Sequence, residues 1–414
     1  MRGAPLTPHP IFVDTHCTPR FLPACARSRP RALAILVRMD RALRQMLGGH
    51  STADFLRLHW QKEALLVAGA LPRFEAPLSR DALFALAGRD DVQSRLVQRT
   101  RDRYTQDEGP FRRRTFDRLP ARNWTLLVHG VNGHVEAADA LLRRFSFIPY
   151  ARLDDVMVSF AAPGGGVGPH YDSYDVFLLQ ASGRRRWRFG RQQDLSLMPD
   201  LPLRILARFA PQHDATLAPG DMLYLPPHYA HDGVAVDACM TCSIGFRAPS
   251  CQELAEAFLD HLRDSLDLDG RYADPDLRPT REPARIGSAM RRRVAKALAS
   301  VRFDADDVGR FLGRYLGEPR AEVVFTPAAR RSRADFARRI GRAGIHLDPR
   351  TQLLYDDARL YVNGEDRAMP VEGADALRAL ADRRALNARE CARLPKAAFD
   401  LLFEWYGHGF LDSA

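Results

Sequence analysis

Lysine is nearly missing from this sequence: of 61 lysines and arginines, only Lys62, Lys296 and Lys396 are lysine. The formal net charge is +10, and residues 1–50 contribute +6 of it through eight arginines and two aspartates. The rest of the chain is therefore only mildly basic. A surface that binds nucleic acid directly is not indicated by this distribution.

Long apolar runs are missing too. No uninterrupted stretch approaches the roughly 20 residues that span a bilayer, so we expect a soluble protein without a membrane segment. Cysteine is sparse, with six residues at irregular spacing, and a chain of 414 residues can bury a core without disulfides. These features favour a reduced, cytoplasmic setting and two or three domains.

The first 50 residues lack a clear pattern. Proline, arginine and cysteine are mixed without periodicity through residue 38. We expect residues 1–50 to be a disordered N-terminal extension or the product of an over-extended start site. The first recognisable element is a helix capped by Ser51 or Thr52, with Phe55 and Trp60 on its apolar face.

Residues 51–249 contain many short strand-like runs separated by glycine and proline turns. The turn Pro219-Gly-Asp221 leads into a strand that ends at Pro226-Pro227, an arrangement typical of cupins. This pattern predicts a mainly β fold with some helix, built on a double-stranded β-helix or jelly roll. We expect this stretch to be the catalytic domain.

The pattern turns helical after residue 250. Helices are predicted at 251–266 and at about 284–317, and their many apolar positions suit residues 250–318 to pairing two subunits as a dimerisation segment. From residue 319 to 414, short helices accompany two runs on either side of Asp356-Asp357, which predict a hairpin. Helices and a hairpin in this order predict a winged-helix-like C-terminal domain.

The motif that most clearly indicates a chemical function is His170-Tyr-Asp172. In a strand, residues i and i+2 point to the same side, so His170 and Asp172 can hold one ion together. Two imidazoles and one carboxylate are the ligand set of mononuclear Fe(II) oxygenases, which leaves coordination positions open for a cosubstrate and O2. His228 and His231 are both candidates for the third ligand, and their spacing alone does not separate them.

A structural zinc site is the competing metal hypothesis. It would combine His228 and His231 with Cys239 and Cys242. The two cysteines lie three residues apart in a strand-like run, so their side chains point to opposite faces. This geometry disfavours zinc and favours buried thiols.

Arg185 is the candidate anchor for a cosubstrate such as 2-oxoglutarate. The distal carboxylate of that molecule needs a fixed cation, which arginine supplies in bidentate geometry. Alternation places Arg185 and Trp187 on one side of their strand. Ser159 is expected to face the barrel interior, and Thr241 and Ser243 share a face from which they would hydrogen-bond the cosubstrate carboxylate.

Two further side chains are candidates for substrate binding. Asp155 should face the barrel interior, where its carboxylate would hold a cationic substrate side chain; the alternative is that it caps a turn. Tyr174 shares the face of His170 and Asp172, so it should also point inward.

Several stretches of this sequence together resemble the bacterial JmjC/cupin-type ribosomal oxygenases, which hydroxylate an arginine of the 50S ribosomal protein L-sixteen. The main match is Pro163-Gly-Gly-Gly-Val-Gly-Pro-His-Tyr-Asp-Ser-Tyr-Asp-Val-Phe-Leu-Leu-Gln-Ala-Ser-Gly-Arg-Arg-Arg-Trp-Arg188. The others are His59-Trp-Gln-Lys62, Asp221-Met-Leu-Tyr-Leu-Pro-Pro227, His231-Asp-Gly233 and Ser243-Ile-Gly-Phe-Arg-Ala-Pro249. They cover residues 51–250, whereas residues 1–50 have no counterpart.

The resemblance implies iron at His170, Asp172 and His231, with Arg185 holding 2-oxoglutarate and O2 as the second cosubstrate. It also implies a helical dimerisation segment, a winged-helix domain and hydroxylation at the β-carbon (C3) of an arginine. Asp155 and Tyr174 fall where the family contacts that arginine.

The alternatives are the same chemistry on a histidine or asparagine of another protein, or a non-catalytic cupin adaptor. His228 departs from the family, which often has a small residue at that position.

Overall fold

Two antiparallel sheets form the first large unit of the computed structural model, which describes residues 40–101, 103–328 and 331–413. The larger sheet has eight strands in the order β1-β9-β6-β11-β5-β4-β2-β3, and the smaller has three in the order β10-β7-β8. The strands are β1 (Leu65–Val67), β2 (Ser94–Thr100), β3 (Arg103–Glu108), β4 (Trp124–Val128), β5 (Leu153–Ala161), β6 (Val176–Ser182), β7 (Arg185–Gly190), β8 (His213–Leu217), β9 (Met222–Leu225), β10 (Ala230–Ala235) and β11 (Cys239–Phe246). The predicted jelly roll is confirmed.

Short helices flank these sheets. They are α1 (Thr52–Leu58), α2 (Arg80–Leu86), α3 (Arg113–Asp117) and α4 (Glu136–Arg143), with single 3-10 turns at Val131–Gly133 and Tyr150–Arg152. Ser51 caps α1, because its side chain accepts a hydrogen bond from the backbone N–H of Asp54 at 3.1 Å.

Strand alternation divides the side chains of β5 between two environments. Val156 and Val158 are fully buried in the main hydrophobic core together with Leu142 of α4. Ser159 points the other way and contacts Arg185 of the smaller sheet. The core under the helices and the barrel interior are therefore built from alternate residues of the same strand.

The structure corrects the predicted boundary at residue 50. Residues 40–46 are helical, and Met46 and Leu47 are buried in the main core. Because burying such side chains stabilises the fold, the first domain includes residues 40–50. Residues 1–39, for which a disordered extension is predicted, lie outside the described part of the chain.

Hydrogen bonds of the His59-Trp-Gln-Lys62 motif connect the segment after α1 to the barrel. The side chain of Gln61 donates to Asp175 Oδ2 at 3.0 Å, and its backbone N–H donates to the hydroxyl of Tyr224 at 2.8 Å. Tyr224 in turn donates to Asp175 Oδ1 at 2.6 Å. Burial raises the pKa of Asp175, and these hydrogen bonds oppose that effect.

Three helices follow the barrel: α5 (Cys251–Ser265), α6 (Ser288–Leu298) and α7 (Ala305–Gly317). The continuous helix predicted at 284–317 is thus two helices, and Asp304 caps the second through a capping box. Helix α7 packs on the C-terminal unit, where Gly313 lies against the ring of Tyr361 and Arg310 pairs with Asp366 at 2.9 Å. Part of the segment 250–318, which is predicted to mediate dimerisation, therefore packs on the C-terminal unit.

The C-terminal unit contains the predicted hairpin, with Leu353 paired to Val362 and Leu354 to Tyr361. Its helices are α8 (Arg333–Ala343), α9 (Ala374–Arg383), α10 (Ala388–Cys391) and α11 (Lys396–His408). Its strands are β12 (Ile345–Leu347), β13 (Leu353–Tyr355), β14 (Arg359–Val362), β15 (Glu365–Ala368), β16 (Ala385–Leu386) and β17 (Leu411–Ser413). Within the described ranges, every helix of the protein falls short of what crossing a membrane requires.

Candidate active site

The structure brings His170, Asp172 and His231 together at the barrel mouth. One ligand atom from each of the three lies within 4.8 Å of the other two. The backbones of the two histidines exchange hydrogen bonds of 2.9 and 2.8 Å, which hold their side chains in register. Three ligands on one side of an ion leave room for a cosubstrate and O2 on the other.

Both histidines are oriented as metal ligands. The Nδ1 atom of His170 lies 2.9 Å from the carbonyl of Gly168, and that of His231 lies 2.9 Å from the carbonyl of Tyr229. A ring that donates from Nδ1 to a carbonyl presents the lone pair of Nε2 to the ion. Burial and the neighbouring His170 lower the pKa of His231 to about 4, which keeps this imidazole neutral at physiological pH.

His228 lies outside this group. Its side chain is exposed, and its backbone is left-handed, with φ of 64°. The N–H of His228 donates to the carbonyl of Asp172 at 2.7 Å, while its ring packs 5.7 Å from the ring of Tyr171. The conformation that supports Asp172 thus turns the His228 imidazole away, and His231 is the histidine that joins the group.

The zinc alternative finds no support in the described ranges, where the His170 group is the one set of three potential ligands close enough to share an ion. Cys242 is buried in the main core, while Cys239 packs with Ala161 and Ala235. Burial raises the pKa of both thiols, which disfavours the thiolate that binds metal.

Arg185 is a buried cation that no carboxylate in the described part of the chain neutralises. It is 5% exposed, and its Nη1 donates to Ser159 Oγ and to Thr241 Oγ1, both at 3.2 Å. Its Nε has no hydrogen-bond partner, and no carboxylate of the described residues pairs with it. Burial lowers the pKa of this guanidinium. Because an unpaired buried charge costs several kcal/mol, this site calls for an anionic ligand.

Thr241 and Ser159 thus hold the guanidinium in place. Thr241 Oγ1 also donates to Gln180 Oε1 at 3.1 Å, so Gln180, which no sequence motif marked as a site residue, supports the same network. Ser243 shares the face of Thr241 and is buried, but the structure shows no hydrogen bond between Ser243 and Arg185.

Trp187 lies between the metal group and Arg185. Its ring centroid is 5.9 Å from that of His231, and the Cζ of Arg185 is 5.5 Å from the indole. The indole covers Gly233, where a Cβ atom would come within 2.6 Å of the ring. The indole Nε1 is buried without a hydrogen-bond partner among the described residues. It is therefore an available donor inside the barrel.

Asp155 is buried near the predicted substrate position. Its Oδ2 accepts a hydrogen bond from the N–H of Gly130 at 2.7 Å and lies 3.3 Å from Nη1 of Arg320. Tyr174 is 40% exposed and lines a cavity. Desolvation and the carboxylates of Asp172 and Asp155 raise the pKa of Tyr174. The contact with Arg320 joins positions too far apart in the chain for the sequence to reveal.

Two families match this chain. The JmjC domain matches residues 140–254, and the ROXA-like winged helix matches residues 300–412. The chain is 36% identical over 340 residues to the Escherichia coli protein named ribosomal protein uL16 3-hydroxylase, covering 81% of this chain and 90% of that protein. It is 37% identical over 233 residues to a probable ribosomal oxygenase of Haemophilus influenzae, covering 55% of each.

Solved structures agree with the sequence comparison. The X-ray structure of E. coli YcfD superposes with a TM-score of 0.76 at 32% identity, covering 87% of this chain and 97% of that one. The complex of the E. coli ribosomal oxygenase YcfD with cobalt and 2-oxoglutarate matches with a TM-score of 0.74, the same identity and the same coverage. Identity of this extent over both domains shows that the chain belongs to the JmjC-domain ribosomal oxygenases.

Proposed function

We propose that this protein is an Fe(II)- and 2-oxoglutarate-dependent hydroxylase that adds a hydroxyl group to the β-carbon of an arginine in ribosomal protein uL16, the L-sixteen protein of the 50S subunit. The cosubstrate assignment rests on Arg185, whose buried guanidinium has no carboxylate partner among the described residues. The name of the E. coli relative and the 2-oxoglutarate bound to E. coli YcfD support the reaction and its target.

Each chemical role falls to residues at the barrel mouth or in its interior. His170, Asp172 and His231 would hold Fe(II), and Arg185 would bind the distal carboxylate of 2-oxoglutarate. When bound, Fe(II), 2-oxoglutarate and O2 supply the oxidation that places one oxygen atom in a C–H bond, with succinate and CO2 as coproducts. The apolar interior wall, which includes Leu178, keeps water from the cosubstrate.

Asp155 and Tyr174 would contact the substrate arginine. A buried carboxylate attracts a guanidinium and offers it charge-assisted hydrogen bonds, which a neutral asparagine amide or imidazole does not form as strongly. The phenol of Tyr174 adds an apolar ring at the partly exposed entrance. These two side chains therefore favour a cationic substrate.

We also propose that two copies pair through the helical segment. Helix α6 exposes Met290, Val294 and Leu298, which recur every four residues on one face and are between 42% and 66% exposed. A stripe of this kind suits a second copy of the chain, which would bury it. Val294→Glu should convert a dimer into monomers in light scattering, whereas a monomeric wild-type protein would refute the pairing.

Because its substrate is a ribosomal protein, we place the enzyme in the cytoplasm. The test of the proposed function compares intact masses of ribosomal proteins from cells with and without this gene. The proposal predicts that uL16 alone gains the mass of one oxygen atom, located on an arginine by fragmentation. An unchanged uL16 mass, or an oxygen on a histidine or asparagine, would refute the substrate assignment.

A further inference from the structure

Arg320 joins the segment after α7 to the start of β5. Its Nη2 donates to Asp154 Oδ2 at 2.9 Å, and its Nη1 lies 3.3 Å from Asp155 Oδ2. One guanidinium therefore bridges two consecutive carboxylates of a barrel strand from a residue that lies between the helical segment and the winged-helix domain.

The two oxygens of Asp155 have different surroundings. Oδ2 accepts the hydrogen bond from Gly130 N–H at 2.7 Å and also faces Arg320. The contacts with Gly130 and Arg320 both involve Oδ2 and leave Oδ1 outside them, and Asp155 is 6% exposed. A carboxylate held through one oxygen keeps a fixed plane, so its second oxygen is available in one direction.

The position of Arg320 is itself fixed by the barrel. Arg247, the residue after β11, donates from Nη1 to the carbonyl of Leu316 at 2.5 Å and from Nη2 to that of Glu318 at 3.4 Å. These carbonyls lie at the C-terminal end of α7, where an arginine also compensates the helix dipole. The end of α7 is thus docked beside a cavity of about 450 Å³ that Tyr174 lines.

We propose that Arg320 is a positioning residue for the substrate: it fixes the Asp155 carboxylate so that Oδ1 receives the substrate guanidinium. The substrate site then depends on how the end of α7 docks on the barrel, since Arg320 is placed by that contact. This inference rests on the proposed function, because it takes a substrate arginine as the ligand of Asp155.

A competing role for Arg320 makes the opposite prediction. If Arg320 only occupied the position of the substrate guanidinium, its removal would free Asp155 and strengthen substrate binding. If Arg320 orients Asp155, its removal leaves the carboxylate with the hydrogen bond from Gly130 and with His129 Nδ1 at 3.8 Å, and weakens binding. The direction of the change in KM for the substrate therefore separates the two roles.

The experiment uses the full-length protein and a synthetic uL16 peptide that contains the target arginine. Arg320→Ala should raise the peptide KM on the order of tenfold, the effect of losing a charge-assisted hydrogen bond, with kcat and 2-oxoglutarate affinity near the wild-type values. Arg320→Lys should recover part of the loss. Arg310→Ala is the matched control, because Arg310 pairs with Asp366 away from Asp155.

A second peptide, with citrulline in place of the target arginine, tests whether the effect concerns charge. It keeps the shape of arginine without the cation, so Arg320→Ala should reduce the preference for arginine over citrulline. Thermal unfolding and anaerobic 2-oxoglutarate binding report the fold and the cosubstrate site. Arg320→Gln, which retains side-chain length, serves the same comparison if the alanine variant unfolds.

An unchanged or lower KM would overturn the inference, as would equal losses for both peptides or a parallel loss of 2-oxoglutarate binding. Failure of the proposed function looks different. In that case the wild-type protein neither hydroxylates the arginine peptide nor prefers it to the citrulline peptide, and the role of Arg320 in substrate binding falls with it.

Discussion

The guanidinium of Arg185 donates to the hydroxyl of Thr241 across 3.2 Å inside the barrel, where both side chains are buried. A hydroxyl orients a cation but does not neutralise it. The site therefore holds a positive charge in a fixed direction, and no carboxylate of the described residues neutralises it. Because Arg185 is oriented by Thr241 and not neutralised, the barrel interior is suited to bind a small carboxylate.

Arg185→Met should weaken 2-oxoglutarate binding at least tenfold, because the distal carboxylate loses its charged partner. Binding is measured by anaerobic titration of the Fe(II)-loaded protein, followed by its absorption in the visible. Arg186→Met is the control, since Arg186 is exposed and pairs with Asp214 on the other side of the same strand. Equal affinities in the two variants would refute the assignment.

Gly233→Ala should displace the indole of Trp187, because a Cβ atom there would lie 2.6 Å from the ring. We expect a loss of about 1–3 kcal/mol in the free energy of unfolding, typical of overpacking, and weaker 2-oxoglutarate binding. Gly341→Ala is the control, since a Cβ at that helical position meets open space. If both variants unfold and bind like the wild type, the indole does not shape the site.

His231→Ala should abolish stoichiometric Fe(II) binding, whereas His228→Ala should retain it, because His228 is exposed and lies outside the ligand group. Metal content after gel filtration measures the difference directly. Iron lost from the His228 variant and kept by the His231 variant would reverse the assignment of the third ligand.

Acid should destabilise the fold partly through His129. Burial, with the charges of Arg95 and Arg320, lowers the pKa of His129 to about 3. Between about pH 6.5 and 3 the unfolded chain binds a proton that the folded chain does not, so stability falls as pH falls through this window. His129→Gln, compared by urea denaturation at neutral pH and near pH 5, should lose less stability on acidification. An equal loss would contradict this.

Much of the barrel follows from strand alternation, which puts Arg185 and Ser159 in the interior and Val156 in the core. Local spacing could not decide between His228 and His231, because the choice depends on the left-handed backbone at His228. The resemblance to the family selects His231, and the geometry now gives a physical reason for that choice.

Other features depend on contacts between distant segments. Arg320 reaches Asp155, and Met46 enters the core from a stretch whose composition gives no clear pattern. The break between α6 and α7 also escapes a periodicity argument, because apolar residues continue across it while Asp304 begins a new helix. Composition and period describe single elements. Tertiary packing decides the first two features, and the capping box at Asp304 decides the third.

The most direct test of the proposed function measures succinate and hydroxyarginine together in one reaction of the purified enzyme with Fe(II), 2-oxoglutarate, O2 and uL16. We expect equal amounts of both products, with the oxygen on the β-carbon of one arginine, and neither product from Asp172→Ala. Succinate without hydroxyarginine, or full turnover by the Asp172 variant, would contradict it.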